Sequence, residues 1–152
     1  MEVINLTTIK KEFTVEASQE TAFKVFTEQM DSWWPRTHHV GSTPMRALVL
    51  EAKPGGRWYS THEDGSEVNV GYVMTYQPFD LFALAWQVNG DFKYDPALVT
   101  EVEVQFISEG PKTTRVKLEH KDLQKLGAGK TIESMDEGWG MIMELYKKQA
   151  EL

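Results

Sequence analysis

Hydrophobic and polar residues alternate with a period of two through most of this chain and switch to a period of three to four near its two ends. Phe13, Val15 and Ala17 share one side of a segment whose other side is Glu12, Thr14 and Glu16. That alternation predicts a half-buried strand. Ala22, Phe23, Phe26 and Met30 then recur at three- and four-residue spacing, which predicts a short helix over 19–30. Ser18 can cap it, because its hydroxyl can accept a bond from an unpaired amide of the first turn, and Glu20 faces the positive end of the helix dipole. Trp33-Trp34-Pro35 stops or bends the helix, since the residue before a proline is pushed out of helical geometry.

From Ala47 onward the pattern is nearly all strand. Residues 47–52, 57–62, 67–77 and 81–88 are separated by Pro54-Gly55-Gly56, Glu63-Asp64-Gly65-Ser66 and Gln77-Pro78-Phe79-Asp80. Such clusters mark tight turns. Within 67–77, Val68, Val70, Tyr72, Met74 and Tyr76 fall on one side. Asp95-Pro96 opens a strand in which Val102, Val104 and Phe106 alternate with Glu101, Glu103 and Gln105. After Glu109-Gly110-Pro111-Lys112, Val116, Leu118 and His120 alternate with Arg115, Lys117 and Glu119. Sequential strands on turns this short pair antiparallel. Residues 122–130 read as loop. A final helix starts at Thr131 or at Ser134, where Ser134 and Glu137 have the spacing of a capping box. Ile132, Met135, Trp139, Ile142 and Tyr146 line one face of it, with Glu133, Asp136 and Glu137 near its start and Lys147 and Lys148 near its end. The expected architecture is α+β: a curved antiparallel sheet of about six or seven strands around one long C-terminal helix, with a short N-terminal helical region.

Composition narrows the function classes. The chain has 152 residues, 41% of them hydrophobic and 26% charged, which suits one ordered domain over 1–152. It has no cysteine, so disulfides, thiolate metal sites and thiol nucleophiles are unavailable. A formal charge of −7 repels phosphate backbones. The basic residues Lys112, Arg115, Lys117, Lys121, Lys125 and Lys130 are interrupted by Glu109, Glu119 and Asp122 and have no interleaved aromatics for base stacking. Nucleic acid is therefore not an expected partner. Met1-Glu2-Val3-Ile4-Asn5 has no basic n-region of a signal peptide, and the apolar run over 81–86 is far too short for a membrane helix. The expectation is a cytoplasmic protein without membrane insertion.

The order of several motifs resembles that of a known group. The Gly-Gly-Arg-Trp turn at 55–58, Asp64-Gly65, Gly71, Gln77-Pro78 and Gly138-Trp139 are similar to the activator-of-heat-shock-protein-90-ATPase homologue family of the START-like (SRPBCC) superfamily. The resemblance covers most of the chain. It implies the helix-grip fold, in which the sheet curls around the C-terminal helix, often with an apolar cavity between them. It also implies a range of functions. Members bind lipids, hormones or polyketides, some catalyse cyclisation, aromatisation or hydrolysis, and the namesakes activate a chaperone ATPase.

Candidate chemistry concentrates on the expected inner faces. Trp58, Tyr72, Met74, Tyr76, Trp86, Met135, Trp139 and Met143 are bulky or adaptable groups, set against small Gly71, Ala83, Ala85 and Gly138. They suit the walls of a cavity for an apolar or aromatic molecule, and they equally suit the ordinary core of a one-helix, one-sheet domain. His62 shares a face with Trp58 and Ser60, and His120 with Val116 and Leu118. Either histidine can orient a polar ligand group or exchange a proton near neutral pH, and either can be a hydrogen-bonded core residue. Adjacent His38 and His39 point apart and have no third donor at ligand spacing, so no metal is expected. Gly127-Ala128-Gly129-Lys130-Thr131 lacks the first glycine of a phosphate loop, and no cofactor motif or Gly-x-Ser-x-Gly elbow is present. Glu101 and Glu103 are expected to face water. Three functions follow: a domain binding a small hydrophobic or aromatic molecule between sheet and helix through Trp58, Tyr72, Met74, Trp86, Met135, Trp139, Met143, His62 and His120; a protein-interaction or chaperone-regulating module; or an enzyme of cyclase or hydrolase type in the same cavity.

Overall fold

Period-two segments become strands and the two period-3.6 segments become helices. The computed structural model describes residues 8–126 and 129–152, the side chains of 129–131 apart. In chain order these are β1 (Ile9–Val15), α1 (Gln19–Glu28), α2 (Met30–Trp33), β2 (Met45–Leu50), β3 (Arg57–His62), β4 (Glu67–Gln77), β5 (Leu81–Trp86), β6 (Thr100–Gly110), β7 (Thr113–His120), a 3-10 turn (Leu123–Leu126) and α3 (Gly129–Ala150). The strands form one seven-stranded sheet ordered β1-β7-β6-β5-β4-β3-β2, with every neighbouring pair antiparallel. Since β1 and β2 stand at opposite edges, α1, α2 and the loop after them must carry the chain across the sheet. They cross on the face that α3 also covers. This is the helix-grip fold.

Local chemistry explains the boundaries. Ser18 Oγ accepts from the Thr21 amide at 3.1 Å and caps α1. Trp34, ahead of Pro35, is extended at φ −70°, ψ 127°, and ends α2. The strand expected over 81–88 stops at Trp86, and the one expected after Asp95-Pro96 starts only at Thr100. Between them Asn89 builds its own turn, its Oδ1 accepting from the amides of Asp91 and Lys93 at 2.9 and 3.1 Å. The C-terminal helix also differs from the expected start at Thr131 or Ser134. It is already running at Gly129, three residues after the end of the turn whose Leu123 and Leu126 are buried. Ser134 and Glu137 therefore lie inside α3, where no free amide remains to cap. The phosphate-loop-like stretch over 127–131 lies outside the described side chains.

One expectation about faces fails, and the cause is backbone geometry. Tyr72 and Met74 are 39% and 41% exposed, on the outer face of the sheet. Two irregularities in β4 reset its alternation. Trp58 and Tyr59 pair with Gly71 and Asn69, leaving Val70 as an extra residue, and Leu84 and Ala83 pair with Val73 and Thr75, leaving Met74 as another. Each bulge shifts the inward set by one position. The inward residues are then Val70, Val73 and Tyr76. A simple odd–even count across 67–77 cannot anticipate this. Its trace in the sequence is Gly71, where an added Cβ would lie 1.7 Å from the carbonyl oxygen of Ala85.

Beneath α1 the interior is a cluster of interlocking aromatic rings. Phe23 meets Phe106 and Phe82 at ring-centroid distances of 5.2 and 6.3 Å, and Phe26 meets Tyr146 and Trp33 at 5.2 Å each. The Tyr146 hydroxyl donates to the Ala22 carbonyl at 2.7 Å, tying α3 to α1, and burial pushes its pKa up. On the outer face the basic residues are neutralised locally. Arg115 pairs with Glu109 and Glu12, Lys117 with Glu12, and Lys121 bridges Glu101 and Glu103 at 3.2 and 2.9 Å. Among the described residues no helix is long and apolar enough to cross a membrane.

The bulge geometry predicts that Gly71→Ala destabilises the fold by about 2–4 kcal/mol in denaturant unfolding, because rigid backbone must move. Gly65→Ala, with φ 86° but open space around it, should cost only about 1 kcal/mol. Equal costs at both positions would refute the close-approach explanation.

Candidate functional site

Away from the phenylalanine cluster, the space between α3 and strands β2 to β5 is not filled. A cavity of about 370 Å³ remains there, and its lining combines Met45 and Leu48 of β2, Trp58 and Ser60 of β3, Val70 of β4, Trp86 of β5, and Ser134, Met135, Gly138, Trp139 and Ile142 of α3. Exposed Thr37, His38 and Phe92 also line it, so it opens to the surface between the loop after α2 and the Asn89 turn. Phe92 is held at a φ of 57°, unusual for a bulky residue, by that turn. The volume lies within the range of small-molecule sites.

Four tryptophans wall the cavity and touch in a closed ring. Centroid distances are 6.1 Å for Trp34–Trp58, 5.7 Å for Trp58–Trp86, 5.7 Å for Trp86–Trp139 and 5.8 Å for Trp139–Trp34. The contacts are edge-to-face or tilted, the arrangement that aromatic quadrupoles favour. Three of these indoles are fixed by their N–H groups. Trp34 donates to the His38 carbonyl at 2.7 Å, Trp86 to the Val88 carbonyl at 3.2 Å, and Trp139 to His120 Nδ1 at 3.1 Å. Trp58 differs: it is fully buried, yet its Nε1 has no hydrogen-bond partner.

Two buried histidines stand behind the wall. An indole N–H can only donate, so His120 Nδ1 must accept from Trp139 and its proton sits on Nε2. Nε2–H then donates to Thr100 Oγ1 at 2.8 Å, and Thr100 donates to the Trp86 carbonyl at 3.2 Å. Burial lowers the His120 pKa to about 3. The ring is therefore neutral and fully engaged near neutral pH, and it positions Trp139 rather than exchanging protons. His62 Nδ1 donates to the Thr43 carbonyl at 2.8 Å, and its Nε2 is hydrogen-bonded to Ser60 Oγ at 2.7 Å.

Of the residues singled out in the sequence, Trp58, Trp86, Met135 and Trp139 come together on the cavity wall. His62, His120 and Met143 are buried one layer behind it. Tyr72 and Met74, turned outward by the bulges, are not near it. Trp34, Ser60, Val70 and the 37–40 loop line the cavity without having been marked as site residues. Trp34 carried a signal nonetheless: a tryptophan placed just before a helix-ending proline is fixed in direction by its backbone. Among the described residues, no three His, Asp or Glu side chains converge as metal ligands would.

Residues 16–149 match the family described as "Activator of Hsp90 ATPase homolog 1-like protein". Among solved structures, CalC, a self-sacrificing resistance protein from Micromonospora echinospora, is 30% identical, with 94% of this chain and 93% of that one covered and a TM-score of 0.68. The anthrahydroquino-γ-pyrone synthase Txn09 is 29% identical, with 92% and 97% covered and a TM-score of 0.65. The Aha1 dimer from Colwellia psychrerythraea, at 15% identity, 97% and 98% coverage and a TM-score of 0.59, is similar in fold alone. No curated protein sequence matches this chain.

The His120 network predicts a pH signature. In the unfolded chain the imidazole takes a proton below about 6.5, while in the folded protein it resists charging until about 3. Its contribution is complete above the unfolded value and falls by about 1.4 kcal/mol per pH unit as pH drops between the two. Denaturant unfolding at pH 7, 6, 5 and 4 should show His120→Gln losing less stability on acidification than the native chain. Parallel pH profiles would mean the buried ring is not held neutral.

Proposed function

The chain belongs to the Activator of Hsp90 ATPase homolog 1-like family, and from that premise we propose that it binds a small apolar or aromatic molecule in the cavity between sheet and α3. The observation that carries this reading is an unfilled space of about 370 Å³ walled by four mutually braced indoles. Interiors normally pack to crystal-like density, so a void of this size forfeits dispersion contacts that an occupant would restore. Flat indole faces suit a flat ligand. Met45 and Met135 suit adjustment to its outline. The wall is braced from within: three indoles are anchored by hydrogen bonds to the protein's own acceptors, so little ordering is left for a ligand to impose.

The two relatives near 30% identity support a small-molecule setting, one being a synthase and the other a resistance protein by name. Among the chain's own groups, a chemical role for His120 is opposed by its saturated bonding. Binding, with no proton transfer assigned to that ring, is the reading the geometry supports best.

Gly138 offers a direct test. It lines the cavity from α3, and a Cβ there would meet only the His38 ring, at 3.9 Å, an ordinary contact. Gly138→Leu should extend into the void while gaining about 0.5–1 kcal/mol of helix propensity. The expected result is a Tm unchanged or raised, together with about tenfold or greater loss of affinity for N-phenyl-1-naphthylamine, read by its emission. Equal affinity in the two proteins would place binding elsewhere and remove the proposal.

A further inference from the structure

We propose that Asn89 is a site of self-modification: the Asn89–Gly90 turn closes to a succinimide and opens again as aspartate or isoaspartate, and the turn's own backbone amides promote the reaction. This chemistry does not depend on what the cavity binds. An asparagine loses its side-chain amide when the backbone nitrogen of the next residue attacks Cγ, and a glycine in that place removes the side chain that would obstruct the approach. The chain has three asparagines, followed by Leu6, Val70 and Gly90. Asn89, the one ahead of glycine, sits in an irregular turn closed by the Val88–Tyr94 bridge. Asn69 lies within β4 instead, its Oδ1 accepting from Arg57 Nε at 2.8 Å.

Attack at Cγ places a negative charge on Oδ1, and two backbone amides already donate to that atom, Asp91 at 2.9 Å and Lys93 at 3.1 Å. Backbone amides only donate, so the side chain's oxygen, not its nitrogen, must stand there. Donors fixed where charge develops lower a barrier without having to reorganise. Here the main chain fixes them: the Asn89 amide donates to the Lys93 carbonyl at 2.8 Å and the Phe92 amide to the Asn89 carbonyl at 3.0 Å. In the step itself the Gly90 N–Cγ bond forms, the Cγ–Nδ2 bond breaks, and the Gly90 amide proton leaves with ammonia. Water then opens the ring at either carbonyl. The aspartate product keeps an oxygen beside the two amides and adds a charge next to Asp91. The isoaspartate product routes the main chain through Cγ and adds one methylene. That breaks the register of the bonds that hold Phe92 at a φ of 57° beside the cavity opening.

Incubating the full chain at neutral pH in water enriched in heavy oxygen marks every ring opened during the incubation, and peptide mass spectrometry then counts the marked positions. Asn89 should convert at least about tenfold faster in the folded chain than in the same chain unfolded in guanidinium chloride. Asn69 should stay unmodified in the folded chain. Asp91→Pro, which deletes one of the two donors, should slow conversion in the folded chain about tenfold. If Asp91→Pro fails to fold, the folded-to-unfolded ratio of the native chain decides alone. Equal or slower conversion of Asn89 in the folded chain overturns the proposal, because the turn then shields the side chain instead of promoting its loss. Comparable conversion at Asn69 overturns it as well. A fast folded rate that survives Asp91→Pro overturns the part given to the amides.

Discussion

One helix laid across a curved seven-stranded sheet cannot cover it, and that shortage of covering surface shapes everything else in this protein. At one end α1 supplies the missing bulk. Phe23 and Phe26 of α1 interlock with the phenylalanines of β5 and β6, and the Tyr146 hydroxyl pins α3 to α1. At the other end only the short α2 reaches the sheet, its Asp31 carboxylate accepting from the Leu48 amide of β2 at 2.8 Å. Rigid indoles from a loop, two strands and α3 brace one another instead, and large flat groups meeting edge to face cannot close the space between them.

The wall built in this way is stiff for a reason that extends beyond the cavity. Trp139 is oriented by His120, His120 by Thr100, and Thr100 by the backbone at Trp86, which returns to the indole ring. Each donor has one acceptor, and burial keeps the imidazole neutral so that the direction of every bond is fixed. His62 plays a similar part for Ser60. His120, read from sequence as a possible acid–base group, therefore serves geometry, a distinction that depends on which atom faces which partner.

Much of the fold was legible in the residues because strand and helix periods are strong and turns are marked by Gly, Pro and Asp. β7 alternates throughout and β6 from Thr100 to Phe106, and the buried stripe of α3 follows Ile132, Met135, Trp139, Ile142 and Tyr146 as spaced. The errors share one physical origin. A bulge inserts a residue without altering the local hydrophobic pattern, so Tyr72 and Met74 look inward by count and stand outward in space. A capping-box spacing likewise occurs inside α3 at Ser134, where only the preceding buried turn reveals that the helix has begun. Trp34 stood at a marked helix stop and Ser60 on the face of Trp58 and His62, but their meeting on one wall depends on contacts between elements far apart in the chain.

A crystal structure of the protein soaked with 1-bromonaphthalene tests the interior void most directly, since bromine is located by anomalous scattering whatever the shape of the density. An anomalous peak between α3 and β3, within contact of Trp58, Trp86 and Trp139, is the expected result. Bromine found only on the outer surface, with the indoles collapsed to fill the space between sheet and helix, would contradict it.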